Sequence, residues 1–175
     1  MAIYNGKHCV FEQVGVEGSD LQWNTGNNPD GDGATNDWNI STMMTTHLPT
    51  RLLMLSSDLQ SIITNTTIQT ATNGNSDILV STSDKLFLAA EKEMRTETSY
   101  ANNVESNALT TRTYWTTHTT NNDRVKTDPS NVAQKYRLRS PYLFTANRVV
   151  LVSNDGAFGV LDTSYTRRFA PCFAF

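Results

Sequence analysis

Charged residues and cysteines are scarce in this 175-residue sequence: Asp, Glu, Lys and Arg make up 18% of it, and only two cysteines occur. Disordered chains combine few apolar residues with a high net charge. This chain has a formal net charge of only -3 and contains three Trp, six Tyr and seven Phe, so we expect it to fold. Its length fits one domain, since domains usually have ~100 to 200 residues, and we predict a single domain over 1–175.

A basic cluster and a long apolar run are also missing. Proteins that bind nucleic acid present a positive patch to the phosphate backbone, so we expect no nucleic-acid partner. No run approaches the ~18 to 20 apolar residues that span a bilayer, and residues 1–7 lack the apolar segment of a signal peptide. We therefore expect no membrane insertion and no Sec-type signal.

Sequence motifs of metal sites are missing as well. The three histidines are far apart, and none belongs to an H-x-x-x-H or C-x-x-C pattern. The turn-rich segment 24–37 contains Asp30, Asp32 and Asp37, but the Glu that would complete an EF-hand loop does not follow. We interpret this segment as a surface loop and expect no metal.

No catalytic motif such as a G-x-S-x-G elbow, a P-loop or a G-x-G-x-x-G turn is present. Glu91, Glu93 and Glu97 could supply the carboxylate pair of a glycosidase, but neighbouring acidic residues in a polar segment usually form a solvated face, and we interpret them so. We expect no enzyme and no cofactor. Cys9 and Cys172 lie near opposite ends of the sequence; a disulfide would need the termini to be adjacent, and buried thiols are favoured.

Thr, Asn and Ser are abundant, with 25, 17 and 14 residues, and this composition favours β-structure and long turns. A turn at Asn154-Asp155-Gly156 is the strongest hairpin signal, and Asn73-Gly74-Asn75 is a second one. The segment 95–134 is polar and without clear periodicity, so it is either functional or braced by aromatic side chains. Predicted strands cover 8–15, 21–23, 66–72, 78–81, 136–139, 148–153, 157–162 and 168–175.

A helical signal extends over 39–65. Asn39 and Ser41 are candidate N-caps of a short helix, and Pro49 fits the first residue of a second one. Apolar residues recur there at spacings of three and four, which predicts one stripe that packs on a sheet. The residues of this stripe are Leu52, Leu55, Leu59, Ile62 and Ile63.

Three C-terminal motifs carry a resemblance to a domain family of bacterial and phage proteins: 138–141 (LRSP), 153–156 (SNDG) and 169–173 (FAPCF). The family signature reads Y-W-L-R-S-P, then a turn close to N-S-D-G, then G-V-R-P-x-F. Upstream, 37–41 (DWNIS) and 83–88 (SDKLFL) look like its W-x-x-S helix opening and its D-K-l-F-L strand. Arg137 stands where the family usually has Trp, and Ala170 where it has Arg.

This resemblance implies an α+β fold of the C-type-lectin-like type, related to the formylglycine-generating-enzyme architecture, with a twisted, mostly antiparallel sheet, one or two helices and long loops. The terminal strands pair in that fold, which would bring Cys9 and Cys172 near each other. Some relatives are variable proteins of diversity-generating retroelements, whose segment before the final motif is rewritten to change ligand preference. The resemblance thus places ligand contacts on one exposed face formed by Tyr142, Phe144, Thr145, Asn147, Arg148, Leu151, Asp162, Ser164, Tyr165 and Arg167.

The expected function is therefore that of a phage virion protein, assembled in the host cytoplasm, whose domain on a tail fibre, tail tip or head fibre recognises a bacterial surface protein or glycan. A structural decoration or attachment protein, which contacts other virion proteins without a receptor, is the alternative. Aromatic, amide and guanidinium groups on the predicted face are those that adaptable binding surfaces use. A homo-oligomer, most plausibly a trimer, is expected because repeated weak contacts gain avidity.

Overall fold

A computed structural model describes the backbone of residues 2–5, 8–12, 15, 20–24 and 35–175, and the side chains of 15, 20–24 and 35–175. The chain is a mixed α+β protein in which the helices are short. Its strands are β1 (Ala2–Asn5), β2 (His8–Glu12), β3 (Leu21–Gln22), β4 (Thr66–Ala71), β5 (Leu79–Asp84), β6 (Lys126–Thr127), β7 (Ala133–Gln134), β8 (Tyr136–Pro141), β9 (Arg148–Val152), β10 (Phe158–Asp162), β11 (Thr166–Phe169) and β12 (Cys172–Ala174). Its α-helices are α1 (Leu48–Leu53), α2 (Ser57–Ile62), α3 (Glu91–Met94), α4 (Asn103–Ala108), α5 (Thr113–Thr117) and α6 (Asn121–Arg124).

The largest sheet has five strands in the order β10-β9-β8-β11-β3, and all its pairs are antiparallel except β8 with β11. Val149, Val150 and Val152 of β9 are fully buried, and Leu151 is 5% exposed. Successive strand residues point to opposite faces, so this strand is covered on both faces.

The first and last strands lie in one three-stranded sheet of order β1-β2-β12. Pairing of the terminal strands, which the resemblance implies, is thus present. Cys172 is fully buried and pairs with Glu12, whereas Cys9 lies three positions earlier on β2. At ~3.4 Å per residue, the offset along the strands alone separates their Cα atoms by about 10 Å or more, which exceeds the ~7 Å that a disulfide spans.

The predicted apolar stripe of residues 52–63 does not form one helix. Helix α1 ends at Leu53, and α2 begins after Ser56, whose hydroxyl accepts a hydrogen bond from the Leu59 amide at 3.4 Å. Ser56 lies in the middle of the apolar pattern and caps a new helix, so the residues before and after it do not form one helical stripe. Ile62 is therefore 55% exposed, while Ile63, after the end of α2, is buried. Proline 49 lies in the first turn of α1, as predicted.

Both predicted hairpins are present. Strands β4 and β5 pair around the 73–75 turn, and β9 and β10 pair around 154–156. Gly156 has φ of +79°, and a Cβ there would lie 1.8 Å from the Asn121 carbonyl oxygen. Only glycine combines this backbone conformation with such a close approach.

The polar segment 95–134 contains three short helices, α4 to α6, and the small β6–β7 pair. Trp115 is 2% exposed, and its ring contacts Tyr114 edge to face at 4.9 Å between centroids. Trp115 is thus a buried aromatic anchor of this segment, which is one of the two predicted alternatives. Asp37 caps a 3₁₀ turn (Trp38–Ile40) through the Asn39 amide. Asp30 and Asp32 lie outside the described residues.

Within the described ranges, no helix is both long and apolar enough to cross a membrane.

Candidate functional site

Two loops meet at one end of the five-stranded sheet: residues 142–147 between β8 and β9, and 163–165 between β10 and β11. We call them the loop face. The Thr163 amide donates to the Asn147 carbonyl at 2.9 Å, and the Asn147 side chain donates to Asp162 Oδ2 at 2.9 Å. Asp162 Oδ1 accepts from the amide and the hydroxyl of Ser164. Asp162 therefore connects the two loops.

Asn36 holds the longer loop from below. It is fully buried, and its Nδ2 donates to the carbonyls of Thr145 at 2.8 Å and Arg148 at 2.7 Å. Its main-chain amide donates to the Ala146 carbonyl at 2.6 Å, and its side-chain Oδ1 accepts from the main-chain amide of Gly74 at 3.3 Å. An asparagine side chain has both a donor and an acceptor, so one residue can satisfy the loop and the β4–β5 turn together.

The β4–β5 turn packs directly under the same loop. A Cβ on Gly74 would lie 1.8 Å from the Tyr142 carbonyl oxygen and 2.4 Å from that of Thr145. Asn102, 4% exposed, donates to the carbonyls of Asn73 and Gly74 at 3.0 and 2.8 Å, and its amide donates to the Pro141 carbonyl. The loop face is thus preorganised by contacts to its main chain.

Three aromatic rings form a row along this face. Tyr100 and Tyr142 are 6.5 Å apart between centroids, and Tyr142 and Phe144 are 5.4 Å apart with near-perpendicular planes. Phe144 is 67% exposed. The Leu143 amide donates to the Tyr100 carbonyl at 2.9 Å, which fixes one end of the row. Tyr100 and Tyr142 are half-buried, so Phe144 is the exposed end of the row.

The structure brings most of the ten predicted contact residues to this face but does not expose all of them. Leu151 and Ser164 are each 5% exposed, so the prediction of one exposed face is wrong for these two. Leu151 lies on the strand that is covered on both faces, and Ser164 is turned inward by its bonds to Asp162. Arg167 lies elsewhere, beside Asn154 at the opposite end of the β9–β10 hairpin. Those on or beside the loop face are Tyr142, Phe144, Thr145, Asn147, Arg148, Asp162 and Tyr165.

Arg137, on β8, supports the 163–165 turn from inside the protein. It is fully buried, and its Nη2 donates to the carbonyls of Asp162, at 3.2 Å, and Tyr165. Its Nε and Nη1 have no hydrogen-bond partner in the part of the chain that the structure describes. Burial, and then the charge of Arg167, lower the pKa of Arg137 to about 9. This guanidinium is therefore a buried cation that carbonyls hold in place of a carboxylate.

A second buried arginine on β8 has a very different environment. Arg139 makes a bidentate pair with Glu93, through bonds of 2.7 and 2.9 Å, and Arg112 donates to the same carboxylate at 2.8 Å. We call Glu93, Arg112 and Arg139 the ionic cluster. Burial raises the pKa of Glu93, but the two guanidinium charges outweigh it and lower that pKa to about 2. The charges of the ionic cluster pair with one another. A cavity of about 290 Å³ borders the cluster.

The neighbouring carboxylates organise the main chain. Glu91, fully buried, accepts from the amides of Ser99, Tyr100 and Ala101 at 3.2, 3.2 and 2.6 Å, and so holds the start of the aromatic row. Its own amide donates to Ser140 Oγ at 2.8 Å. The interpretation of these glutamates as a solvated face is therefore wrong for Glu91 and Glu93, although Glu97 is exposed. Backbone amides and arginines distant in sequence compensate their burial.

Glu105 is also fully buried; its carboxylate accepts from the hydroxyls of Thr70, at 2.6 Å, and Ser140. Burial raises its pKa, although Arg139 and these hydrogen bonds act in the opposite direction. Asn36, Asn102 and Glu105 were not among the predicted site residues. The only signal for the two asparagines is the high Asn content, and a buried asparagine cannot be distinguished from one in a turn by sequence alone. Among the described residues, no group of three His, Cys, Asp or Glu could hold a metal ion.

Comparison with known proteins gives one relationship. No curated protein and no solved structure matches the chain. One family model, described as "Domain of unknown function (DUF6273)", matches residues 24–174. This match extends from the residue after Trp23 to the last residue of β12 and so includes the loop face and the ionic cluster. The chain therefore belongs to the DUF6273 family.

Proposed function

We propose that the chain is a ligand-display or receptor-binding domain of a phage virion, carried on a tail fibre, tail tip or head fibre and directed at a bacterial surface protein or glycan. The observation that carries this proposal is the aromatic row on the loop face. Phe144 is 67% exposed on a loop that is held from below by Asn36 and Gly74. An exposed aromatic on a rigid support is typical of binding hot spots.

The proposed fold is C-type-lectin-like. Paired terminal strands, a mostly antiparallel five-stranded sheet and short helices support it. The two connections of the loop face, 142–147 and 163–165, support it too, since recognition residues are often carried by loops on a rigid scaffold. In this proposal the chain is not an enzyme, needs no cofactor and is assembled into the virion in the host cytoplasm.

Adsorption tests the receptor role. Phe144→Ala is expected to weaken binding of the purified protein to host envelope by about tenfold or more. Leu53→Ala is the matched control, because Leu53 is an exposed apolar side chain, 74% accessible, on α1; it should leave envelope binding unchanged. Equal binding by both variants and the original protein, or unchanged phage adsorption after loss of the protein, would contradict a receptor role.

A structural decoration or attachment role is the second candidate, and one observation favours it. Three apolar side chains are exposed: Leu53 at the end of α1 (74%), Met54 directly after it (66%) and Ile62 at the end of α2 (55%). Apolar residues exposed together often mark a protein contact. Binding to purified capsid or tail that is lost in Leu53→Ala and kept in Phe144→Ala would favour this role over the first. We also propose a homotrimer, which light scattering at micromolar concentration tests.

A further inference from the structure

A second cavity, of about 240 Å³, lies away from the loop face, beside β7 and the β9–β10 turn. Two of its lining side chains, Lys135 and Arg167, are cationic, and two, Gln134 and Asn154, are amides. Among the described lining residues, Asp20 is the one acidic side chain, and it lies 3.6 Å from the guanidinium of Arg168. The cavity is therefore more positive than its surroundings in a chain whose net charge is -3.

Two unmatched arginines add to that positive charge. Arg167 Nε is buried and has no hydrogen-bond partner within the described residues. Arg137 lies on the strand next to that of Arg167, is fully buried, and leaves Nε and Nη1 without partners in the same part of the chain. The two cations are close enough for the charge of Arg167 to lower the pKa of Arg137. An anion at the cavity would reduce this repulsion.

The nearby carboxylates supply only part of that negative charge, although Asp162 is close enough to raise the pKa of Arg137. Asp128 lies 3.7 Å from Arg168 and accepts from the Gln134 side chain at 2.8 Å. Asp162 is occupied by hydrogen bonds from Asn147 and Ser164. Buried or half-buried guanidinium groups are most stable when paired with a carboxylate or phosphate. A ligand that brings such a group completes the arrangement.

We propose that this cavity binds an acidic saccharide, whose carboxylate or phosphate pairs with Arg167 and Lys135 while the Gln134 and Asn154 side chains bind its hydroxyls. Amide groups suit sugar hydroxyls because each offers a donor and an acceptor. This site shares no residue with the aromatic row, so it does not depend on the receptor role of the loop face.

Titration of the full chain with glucuronate, glucose 6-phosphate and glucose tests the proposal by calorimetry or NMR. At least one acidic sugar should bind about tenfold or more tightly than glucose, since hydrogen bonds between charged groups are the strong ones. Binding should weaken as salt is raised. Binding of glucuronate alone, or of glucose 6-phosphate alone, identifies the acidic group; equal binding of all three sugars overturns the proposal.

Variants locate the site. Arg167→Gln should weaken binding of the acidic sugar about tenfold, and Lys135→Gln, at an exposed position, should weaken it less. Arg148→Gln is the matched control: it removes an exposed arginine of the loop face and should change nothing, as should Phe144→Ala. If Arg167→Gln does not fold, Lys135→Gln still decides. Unchanged binding in Lys135→Gln and in any folded Arg167→Gln, or loss in Arg148→Gln, would overturn the assignment.

Discussion

Arg137 and Arg139 stand two residues apart on β8 and are both fully buried, yet they belong to two different regions. Arg139 is bidentate to Glu93 and also donates to the Leu88 carbonyl at 2.6 Å. Arg137 has carbonyl partners alone and two nitrogens without partners among the described residues. Burial alone therefore does not determine how much an arginine contributes to stability. That contribution depends on whether an opposite charge compensates the guanidinium.

The same contrast extends to the groups that surround the two arginines. Around Arg139, each charge of the ionic cluster faces an opposite charge. The buried carboxylates of Glu91 and Glu105 accept hydrogen bonds from the main-chain amides of Ala101 and Ala71. Around Arg137, positive charge exceeds negative charge, next to both the loop face and the second cavity. Removal of one partner of a buried pair exposes the other to an apolar environment, whereas removal of an uncompensated charge does not.

The largest effect is expected at Arg139. Arg139→Met should lower the free energy of unfolding by about 3 to 5 kcal/mol, because it breaks a buried pair and leaves Glu93 with Arg112 alone. Urea or guanidinium denaturation measures this change. Arg148→Met, at an exposed position, is the control and should stay within ~0.5 kcal/mol. A loss at Arg139 no larger than at Arg148 would show that the ionic cluster does not hold the fold.

The next effect is a pH dependence. Glu93 has a folded-state pKa of about 2, below its ordinary value of 4.5, so the unfolded chain binds more protons between these values. Its contribution to stability is full above pH 4.5 and is lost as pH falls towards 2; it amounts to up to about 3 kcal/mol. Stability curves at several pH values should show this acid limb in the original protein and not in Glu93→Gln. A variant that keeps the whole limb would assign it to other carboxylates.

Glu105 should act in the opposite direction. Its pKa is raised, so the folded state holds the proton more tightly and stability falls as pH rises through the range above 4.5. Glu105→Gln should remove that decline while it keeps hydrogen bonds to Thr70 and Ser140. Parallel curves for the variant and the original protein in this range would contradict the assignment.

A smaller effect is expected at Arg137. Arg137→Met keeps most of the side-chain volume and removes an uncompensated charge, so the free energy of unfolding should change by less than about 1 kcal/mol in either direction. Thermal unfolding beside Arg139→Met gives the direct comparison. A loss of the size expected for Arg139 would mean that the two carbonyl bonds of Arg137 matter more than its missing partner.

The smallest effects on stability are expected on the loop face. Phe144→Ala and Tyr165→Ala, at side chains 67% and 53% exposed, should stay within ~0.5 kcal/mol. Val150→Ala and Val152→Ala, both fully buried, should cost a few kcal/mol through lost contacts and cavities. Calorimetric midpoints that fall together in both pairs would show that the loop face is part of the core.

The hairpins and the C-terminal strands could be predicted because they depend on short-range turns and apolar runs, whereas the terminal pairing was implied only by the family resemblance. Ile62 was misplaced because Ser56 begins a new helix inside a continuous apolar pattern. Glu93 was misplaced because its compensating arginines, such as Arg139, are far away in sequence. Glu91 was misplaced because the chain after it turns back and brings the amides of residues 99–101 to its carboxylate. Long-range partners of polar side chains are chosen by the tertiary fold, and sequence periodicity carries no information about them.

Asn36 has one further consequence. It grips the 142–147 loop by the carbonyls of Thr145, Ala146 and Arg148, and Gly74 contacts that loop at main-chain oxygens as well. The conformation of the loop thus depends on residues outside it, which contact its main-chain atoms and not its side chains. Exchange of exposed side chains such as Phe144 should therefore leave the loop conformation unchanged, so a randomised library at these positions would vary the chemistry of the surface and preserve its main chain.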